Sequence, residues 1–292
     1  MKEVHTIGIV GAGPMGVGIT HVGVLAGYEV RVHDIDRPKL DALPDRVKGG
    51  IAIQVAKGLV KSADAKAALT RVHLTHTLSG LAACDLVIET VNEDEEVKRD
   101  LYASLKGVLK PDAILATDTS SISITRLAAA TDRPQRFLGM HFMNPVPRME
   151  LVEIIPGIAT LPEVMRLASD VAKRMGKTPV AAQDFPAFMV NRILAPMINE
   201  AIYVLYEGVG TVESIDAACK LGLHHPMGPL ALADFIGLDI FLSIMKVLHE
   251  GLADQKYRPC PLLIKYVEAG WFGRKSGRGF YDYSVDPPKP TR

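Results

Sequence analysis

Ile9-Val10-Gly11-Ala12-Gly13-Pro14-Met15-Gly16 joins a β-branched run, residues 4–10, to an apolar-periodic run, residues 15–26. The G-x-G-x-x-G spacing is weak alone, but here it leaves a strand and opens a helix, which gives each glycine a task. Gly11 permits the tight turn, Gly13 lets the backbone approach a pyrophosphate, and Gly16 allows close helix packing. With Ala12, Pro14 and Met15 between them they form a candidate phosphate loop, because the free N–H groups and positive dipole end of a helix favour an anion. Asp34, 18 residues beyond Gly16 at the end of the next β-branched run, is placed to accept hydrogen bonds from ribose hydroxyls. A carboxylate there repels a 2′-phosphate, so NAD is favoured over NADP, although Arg37 could still pair with such a phosphate.

Outward from this loop, short apolar runs at 29–33, 86–90, 113–117, 137–142 and 151–155 alternate with helical periodicities at 95–109, 124–130 and 162–175. That alternation predicts an α/β fold for residues 1–185: a Rossmann-type, mostly parallel sheet with helices on both faces. Past residue 185 the strand signals stop. Residues 187–207 read as one long apolar helix with a bend expected at Pro196, followed by helices at 212–221 and 230–248, so 186–292 is predicted to be an all-α C-terminal domain. Several of these helices are apolar on more than one face, which predicts a homodimer through this domain. Residues 286–292, with three prolines and two basic residues, are expected to be a frayed tail.

The balance of 33 basic and 33 acidic residues, with 48% apolar and 23% charged, fits a soluble globular chain and argues against disorder or a nucleic-acid surface. The three cysteines form neither a CxxC pair nor a disulfide framework, which fits a reducing compartment. No apolar run is long enough to span a membrane, and the N-terminus lacks the charge and hydrophobicity pattern of a signal peptide, so a cytoplasmic location is expected. His73 with His76, and His224 with His225, lack acidic or cysteine ligands at matching spacing, and no metal site is expected.

The second informative stretch is His141-Phe142-Met143-Asn144-Pro145-Val146-Pro147-Arg148-Met149-Glu150-Leu151-Val152-Glu153. If its two apolar runs pair as an antiparallel hairpin centred near Pro147, facing positions sum to 294, and His141 lies opposite Glu153 on one face. One ring nitrogen would then donate to the carboxylate while the other meets a substrate, the arrangement of a general base whose tautomer is fixed. Beside a nicotinamide site, such a dyad suits dehydrogenation of a secondary alcohol. Thr117-Asp118-Thr119-Ser120-Ser121 follows a strand, at the sheet end where α/β proteins bind ligands, while Ser121 or Ser123 could cap the next helix. Asn191 interrupts the apolar helix and needs hydrogen-bonding partners or a polar cleft.

Read together, G-A-G-P-M-G, D-T-S-S, H-F-M-N-P-V-P, E-L-V-E-I-I, F-M-V-N-R, H-P-M-G-P and G-R-K-S-G-R-G-F-Y resemble the L-3-hydroxyacyl-CoA dehydrogenase family, most closely its short bacterial members. The resemblance runs in order from about Val4 to Tyr283. It implies oxidation of an L-3-hydroxyacyl-CoA to the 3-ketoacyl-CoA with NAD, or the reverse, with short acyl chains such as 3-hydroxybutyryl-CoA expected. It makes His141 the base and Glu153 its partner, Ser120 a substrate-bonding residue near the nicotinamide, Asn191 an acyl-CoA contact and Asn144 a further polar residue lining the site. It also makes Glu93 and Lys98 contacts to the nicotinamide-side ribose and phosphate, which the residues alone would present as a solvated helix start.

The resemblance further implies a helical CoA clamp at residues 46–61, with Lys57 as its cation and Lys48 and Lys61 as possible additions. Two positions depart from the family pattern: Asp118 stands where asparagine is common, and Gly50 where a CoA-contacting serine is often found. Two other readings remain at this stage. One is a relative acting on a free hydroxy acid such as carnitine or a sugar acid, disfavoured by H-F-M-N-P-V-P and the Lys57 segment. The other is a cofactor-binding structural protein without turnover, disfavoured by the intact His141, Glu153, Ser120 and Asn191.

Overall fold

The structure, a computed structural model, describes residues 3–292. The chain divides into two compact units, one ending at Phe185 and the other running from Pro186 to Arg292. The first unit is built in the order β1 (Thr6–Val10), α1 (Pro14–Leu25), β2 (Glu29–His33), α2 (Arg37–Asp41), α3 (Leu43–Ala56), α4 (Ser62–Leu69), β3 (Val72–Thr75) and β4 (Leu86–Glu89). It continues with α5 (Glu95–Leu105), β5 (Ile114–Thr117), α6 (Ile124–Ala128), β6 (Phe137–Phe142), β7 (Leu151–Pro156), α7 (Pro162–Arg174) and β8 (Thr178–Ala181).

Among the described residues these strands form one eight-stranded sheet in the order β3-β2-β1-β4-β5-β6-β7-β8. The first six strands pair in parallel, β7 runs antiparallel to β6, and β8 is parallel to β7. The central strands are apolar on both faces because helices cover both: Ile7, Ile9, Leu86 and Ile88 are all fully buried. Each such side chain contributes about 1.5–3 kcal/mol by leaving water. β1 is the point where the chain order reverses, since it lies between β2 and β4, so the crevice at its carboxyl end is where a ligand belongs.

β3 and β8, the two edge strands, were not read from the sequence. Each has four residues, neither is buried along its length, and β8 contains Pro179, which a sheet tolerates at an edge. Three helices, α2, α3 and α4, lie between β2 and β3, and the helical stretch expected at 46–61 corresponds to α3, which ends at Ala56.

The second unit contains α8 (Val190–Tyr206), α9 (Val212–Gly222), α10 (Pro229–Ile236), α11 (Leu238–Leu252), α12 (Pro261–Glu268) and a short hairpin of β9 (Tyr281–Asp282) and β10 (Lys289–Pro290). Three sequence expectations are corrected here. The helix expected from residue 187 starts at Val190, because Ala187 (φ 60°) and Phe188 (φ 51°) are left-handed; Pro196 lies inside it. The helix expected at 230–248 is two, divided at Gly237, whose φ of 101° favours glycine.

The unit is helical apart from this short hairpin, and the tail is not frayed: Lys289 pairs with Asp282, and Thr291 donates from its backbone N–H to the Phe280 carbonyl at 3.0 Å. Two buried aspartates explain this order. Asp234 accepts from the N–H groups of Phe280 and Tyr281 and from the Tyr283 hydroxyl, and burial pushes its pKa up to about 6. Asp216 accepts from the first N–H groups of α10, at Leu230 and Ala231, and from the Tyr281 hydroxyl. No helix among the described residues is long and apolar enough to cross a membrane, and none of their His, Cys, Asp and Glu side chains group as a metal site.

Candidate active site

The G-x-G-x-x-G loop occupies the carboxyl end of β1. Gly11 has a φ of 111°, and its N–H donates to the His33 carbonyl of β2 at 2.8 Å. A Cβ on Gly16 would overlap the Gly11 carbonyl oxygen, so only glycine lets α1 approach its own strand this closely. A Cβ on Gly13 would meet nothing within 4 Å, and Gly13, the N-cap of α1, receives no side-chain capping bond. The loop therefore offers open space in front of an uncapped helix N-terminus, which fits the pyrophosphate of a dinucleotide.

Asp34 lies immediately beyond β2, with one carboxylate oxygen 2.6 Å from the Ala12 N–H and the other 2.8 Å from the Asp36 N–H. It is thus held beside the loop with lone pairs remaining for ribose hydroxyls. Two contributors were missed in the sequence. Arg46, on α3, donates to the Ala12 carbonyl at 2.9 Å, and the Thr90 hydroxyl lies 3.1 Å from both the Val10 and Gly11 carbonyls.

The β6–β7 hairpin has the register expected from its sequence: His141 faces Glu153. The His141 Nδ1 is 2.7 Å from a Glu153 carboxylate oxygen, and the two side chains are only 6% and 1% exposed, so water does not screen the pair. With Nδ1 held by the carboxylate, Nε2 is the ring atom suited to exchange a proton with a substrate. Asn144 lies in the exposed turn of the same hairpin.

A second polar network lies beneath the Thr119-Ser120-Ser121 loop. Glu89, at the end of β4 and fully buried, accepts from Lys98 (2.6 Å), the Tyr102 hydroxyl (2.6 Å), the Thr117 hydroxyl (2.8 Å) and the Val91 N–H (2.8 Å). Burial and the neighbouring Glu89 push the Tyr102 phenol well above its usual range, so it remains a donor. Lys98 is 1% exposed and is also 3.5 Å from Glu93. One oxygen of Glu93 in turn accepts from the Ser120 and Ser121 N–H groups (2.8 and 3.0 Å) and the Thr119 and Ser121 hydroxyls (2.6 and 2.9 Å). Glu93 therefore fixes the loop that presents Ser120, while Lys98 is a buried cation between two carboxylates.

Asp118, just before that loop, is buried, and its carboxyl accepts from the Phe142 N–H at 2.7 Å, next to His141. Burial, with Glu89 and Glu93 adding to it against the Phe142 and Lys98 contributions, raises its pKa well above the carboxylate range. Burial thus favours the protonated, uncharged form of this carboxyl, whose oxygen accepts from the Phe142 N–H. Ser123, rather than Ser121, caps α6, with its Oγ accepting from the Arg126 N–H.

The remaining candidates are placed as follows. Lys57 is exposed at the C-cap of α3, Lys48 is exposed on that helix, and Lys61 is the N-cap of α4. Gly50 has a steric reason: a Cβ there would lie 2.9 Å from Nδ1 of the buried His21, whose Nε2 is 3.0 Å from the Gln54 side-chain oxygen. Asn191 is half-buried in the first turn of α8, in the second unit.

The family described as 3-hydroxyacyl-CoA dehydrogenase, NAD binding domain, matches residues 6–185, and the corresponding C-terminal domain family matches residues 188–283. A protein named 3-hydroxybutyryl-CoA dehydrogenase from Bradyrhizobium diazoefficiens is 61% identical over 289 residues, 99% of each chain. A Bacillus subtilis protein named probable 3-hydroxybutyryl-CoA dehydrogenase is 52% identical, over 96% of this chain and 98% of its own. Among solved structures, an (S)-3-hydroxybutyryl-CoA dehydrogenase from Ralstonia eutropha superimposes with a TM-score of 0.94 at 44% identity, covering 97% of this chain and all of that one.

Proposed function

Because the chain belongs to the 3-hydroxyacyl-CoA dehydrogenase family and is an NAD-dependent dehydrogenase, we propose that its substrate is a short-chain L-3-hydroxyacyl-CoA, typified by 3-hydroxybutyryl-CoA, and that His141 and Glu153 carry the proton transfer. The observation that supports this most is the buried 2.7 Å contact between His141 and Glu153, at the register where a hairpin sets them face to face. Bound NAD supplies the acceptor for the hydride that leaves the carbinol carbon. His141 takes the hydroxyl proton at Nε2, and Glu153 stabilises the imidazolium that results. Glu93 holds the loop so that Ser120 meets the substrate oxygen, and Asp34 accepts from the adenosine ribose. In the reverse direction the same imidazolium returns its proton to the ketone oxygen as the alcohol forms.

The remaining assignments draw on the family resemblance. Asn144 lines the site, Asn191 contacts the acyl-CoA, and Lys57, exposed at the C-cap of α3, meets a CoA phosphate. The second unit exposes Ile193 (69%), Leu221 (80%) and Ile240 (50%), apolar surface that a second copy of the chain would cover. Three free cysteines, two of them buried, suit the reducing cytoplasm.

The test is initial-rate oxidation of NADH and of NADPH with acetoacetyl-CoA and with free acetoacetate. The reading expects turnover of the CoA ester with NADH and little with the other three combinations. Equal rates on free acetoacetate would replace the CoA ester by a free acid, and a preference for NADPH would remove the role given to Asp34.

A further inference from the structure

Lys177 has no place in the chemistry above, yet it is 8% exposed, and burying an ammonium costs several kcal/mol unless it is well bonded. It follows α7 and Gly176, whose φ of 73° ends the helix; the Gly176 and Lys177 N–H groups bond back to Lys173 and Ala172 and turn the chain toward β8. Its ammonium donates to the Val146 carbonyl at 2.5 Å and the Met149 carbonyl at 2.8 Å. Both carbonyls belong to the turn that joins His141 on β6 to Glu153 on β7 and that contains Asn144. Desolvation lowers the Lys177 pKa, with Glu150 opposing. The His21 imidazole is held below its usual value by burial, against the Gln54 hydrogen bond, with the charge of Lys177 adding to the depression.

The turn meets α1 through Val146. That side chain is almost fully buried, and a Cβ on Gly18 of α1 would come within 2.8 Å of the Val146 Cβ. The same turn is thus fastened by Lys177 on one side and seated on the dinucleotide helix on the other.

We propose that Lys177 is a positioning residue for the dehydrogenase: by holding the Val146 and Met149 carbonyls it sets the His141–Glu153 hairpin at a fixed distance from the helix that carries the coenzyme loop. The inference rests on the dyad reading. A general base and a hydride acceptor must address the same carbinol group, and a misplacement of about 1 Å can cost about a hundredfold in rate.

The experiment compares Lys177→Met, which keeps the length and removes the donors, with Lys177→Arg, Gly18→Ala and His141→Ala. It reads kcat, the single-turnover rate of hydride transfer and the Kd for NADH. Lys177→Met is expected to lower kcat and the single-turnover rate together by about 10- to 100-fold. Its Kd for NADH should stay within about twofold, since the glycine loop is untouched, and Lys177→Arg should recover part of the rate. Gly18→Ala, which displaces the same turn from the other side, should give the same split, and it decides the matter if Lys177→Met does not fold. Wild-type single-turnover rates in the folded variants would overturn the inference, as would a rate loss matched by an equal loss of NADH affinity. His141→Ala keeps the two claims apart: if it is inactive while the Lys177 and Gly18 variants turn over normally, only the role of Lys177 fails.

Discussion

Replacing Asp118 by asparagine keeps the acceptor for the Phe142 N–H, now 2.7 Å away, and removes the group that must ionise in a buried site. In the unfolded chain an aspartate loses its proton near its ordinary value of 3.8, whereas in the folded protein burial and the neighbouring Glu89 and Glu93 hold the proton to much higher pH. Between those two values the folded state binds one proton more than the unfolded state, so stability falls as pH rises. The slope for one proton is about 1.4 kcal/mol per pH unit. Asp118→Asn lacks this slope. Its stability relative to wild type should be smallest near pH 4 and should grow by about 1.4 kcal/mol per pH unit until Asp118 ionises in the folded protein, after which the gap is constant.

The assay is urea unfolding of both proteins at several pH values from 4 to neutral, followed by a spectroscopic signal from the first unit. The readout is the sign of the pH dependence: the gap between the two proteins widens as pH rises from 4, by at most about 1.4 kcal/mol per pH unit. Parallel stability curves across the range would refute the reasoning, because they would mean that Asp118 ionises in the folded protein where it does in the unfolded chain.

Two further outcomes follow from the same site. Glu153→Gln keeps the size of the side chain but withdraws the charge that faces the imidazolium; a buried charge-assisted bond is worth about 1.5–3 kcal/mol, so kcat should fall by about 10- to 150-fold with the Kd for NADH unchanged. Steady-state rates and coenzyme fluorescence titration check the pair, and an unaltered kcat would dissociate Glu153 from catalysis. Glu93→Ala releases four donors of the Thr119–Ser121 loop at once. It should raise KM for the acyl-CoA and lower kcat, with faster hydrogen exchange at Ser120 and Ser121; unchanged exchange at those amides would show that the loop holds its shape without it.

The features that were legible in the sequence are those a local rule determines. The glycine spacing between a strand and a helix marks the coenzyme loop, and the two-residue period of a hairpin sets His141 against Glu153 from the sequence alone. The edge strands β3 and β8 escaped because a short strand exposed along one side carries too little apolar alternation to be told from a loop. Left-handed Ala187 and Phe188 shortened the start of α8 in a way no propensity predicts. The ordered tail depended on Asp234 and Asp216, which look like ordinary surface acids until the fold buries them against the hairpin.

Within the site, the upward shift of the Asp118 pKa and the loop-anchoring bonds of Glu93 arise from neighbours distant in sequence. Lys98 likewise reads as a helix-surface lysine, and only the folded chain buries it between Glu89 and Glu93. Arg46 and Lys177 bond to main-chain carbonyls, which leave no trace in residue identity.

The most direct test of the account compares wild type with His141→Ala in two measurements: turnover of acetoacetyl-CoA with NADH, and binding of NADH. The account predicts that the variant loses most of its turnover while its affinity for NADH is unchanged, since the base acts on the substrate hydroxyl and the coenzyme is held separately, around Gly11, Gly13, Gly16 and Asp34. Wild-type turnover in the variant would contradict the assignment of His141 as the base.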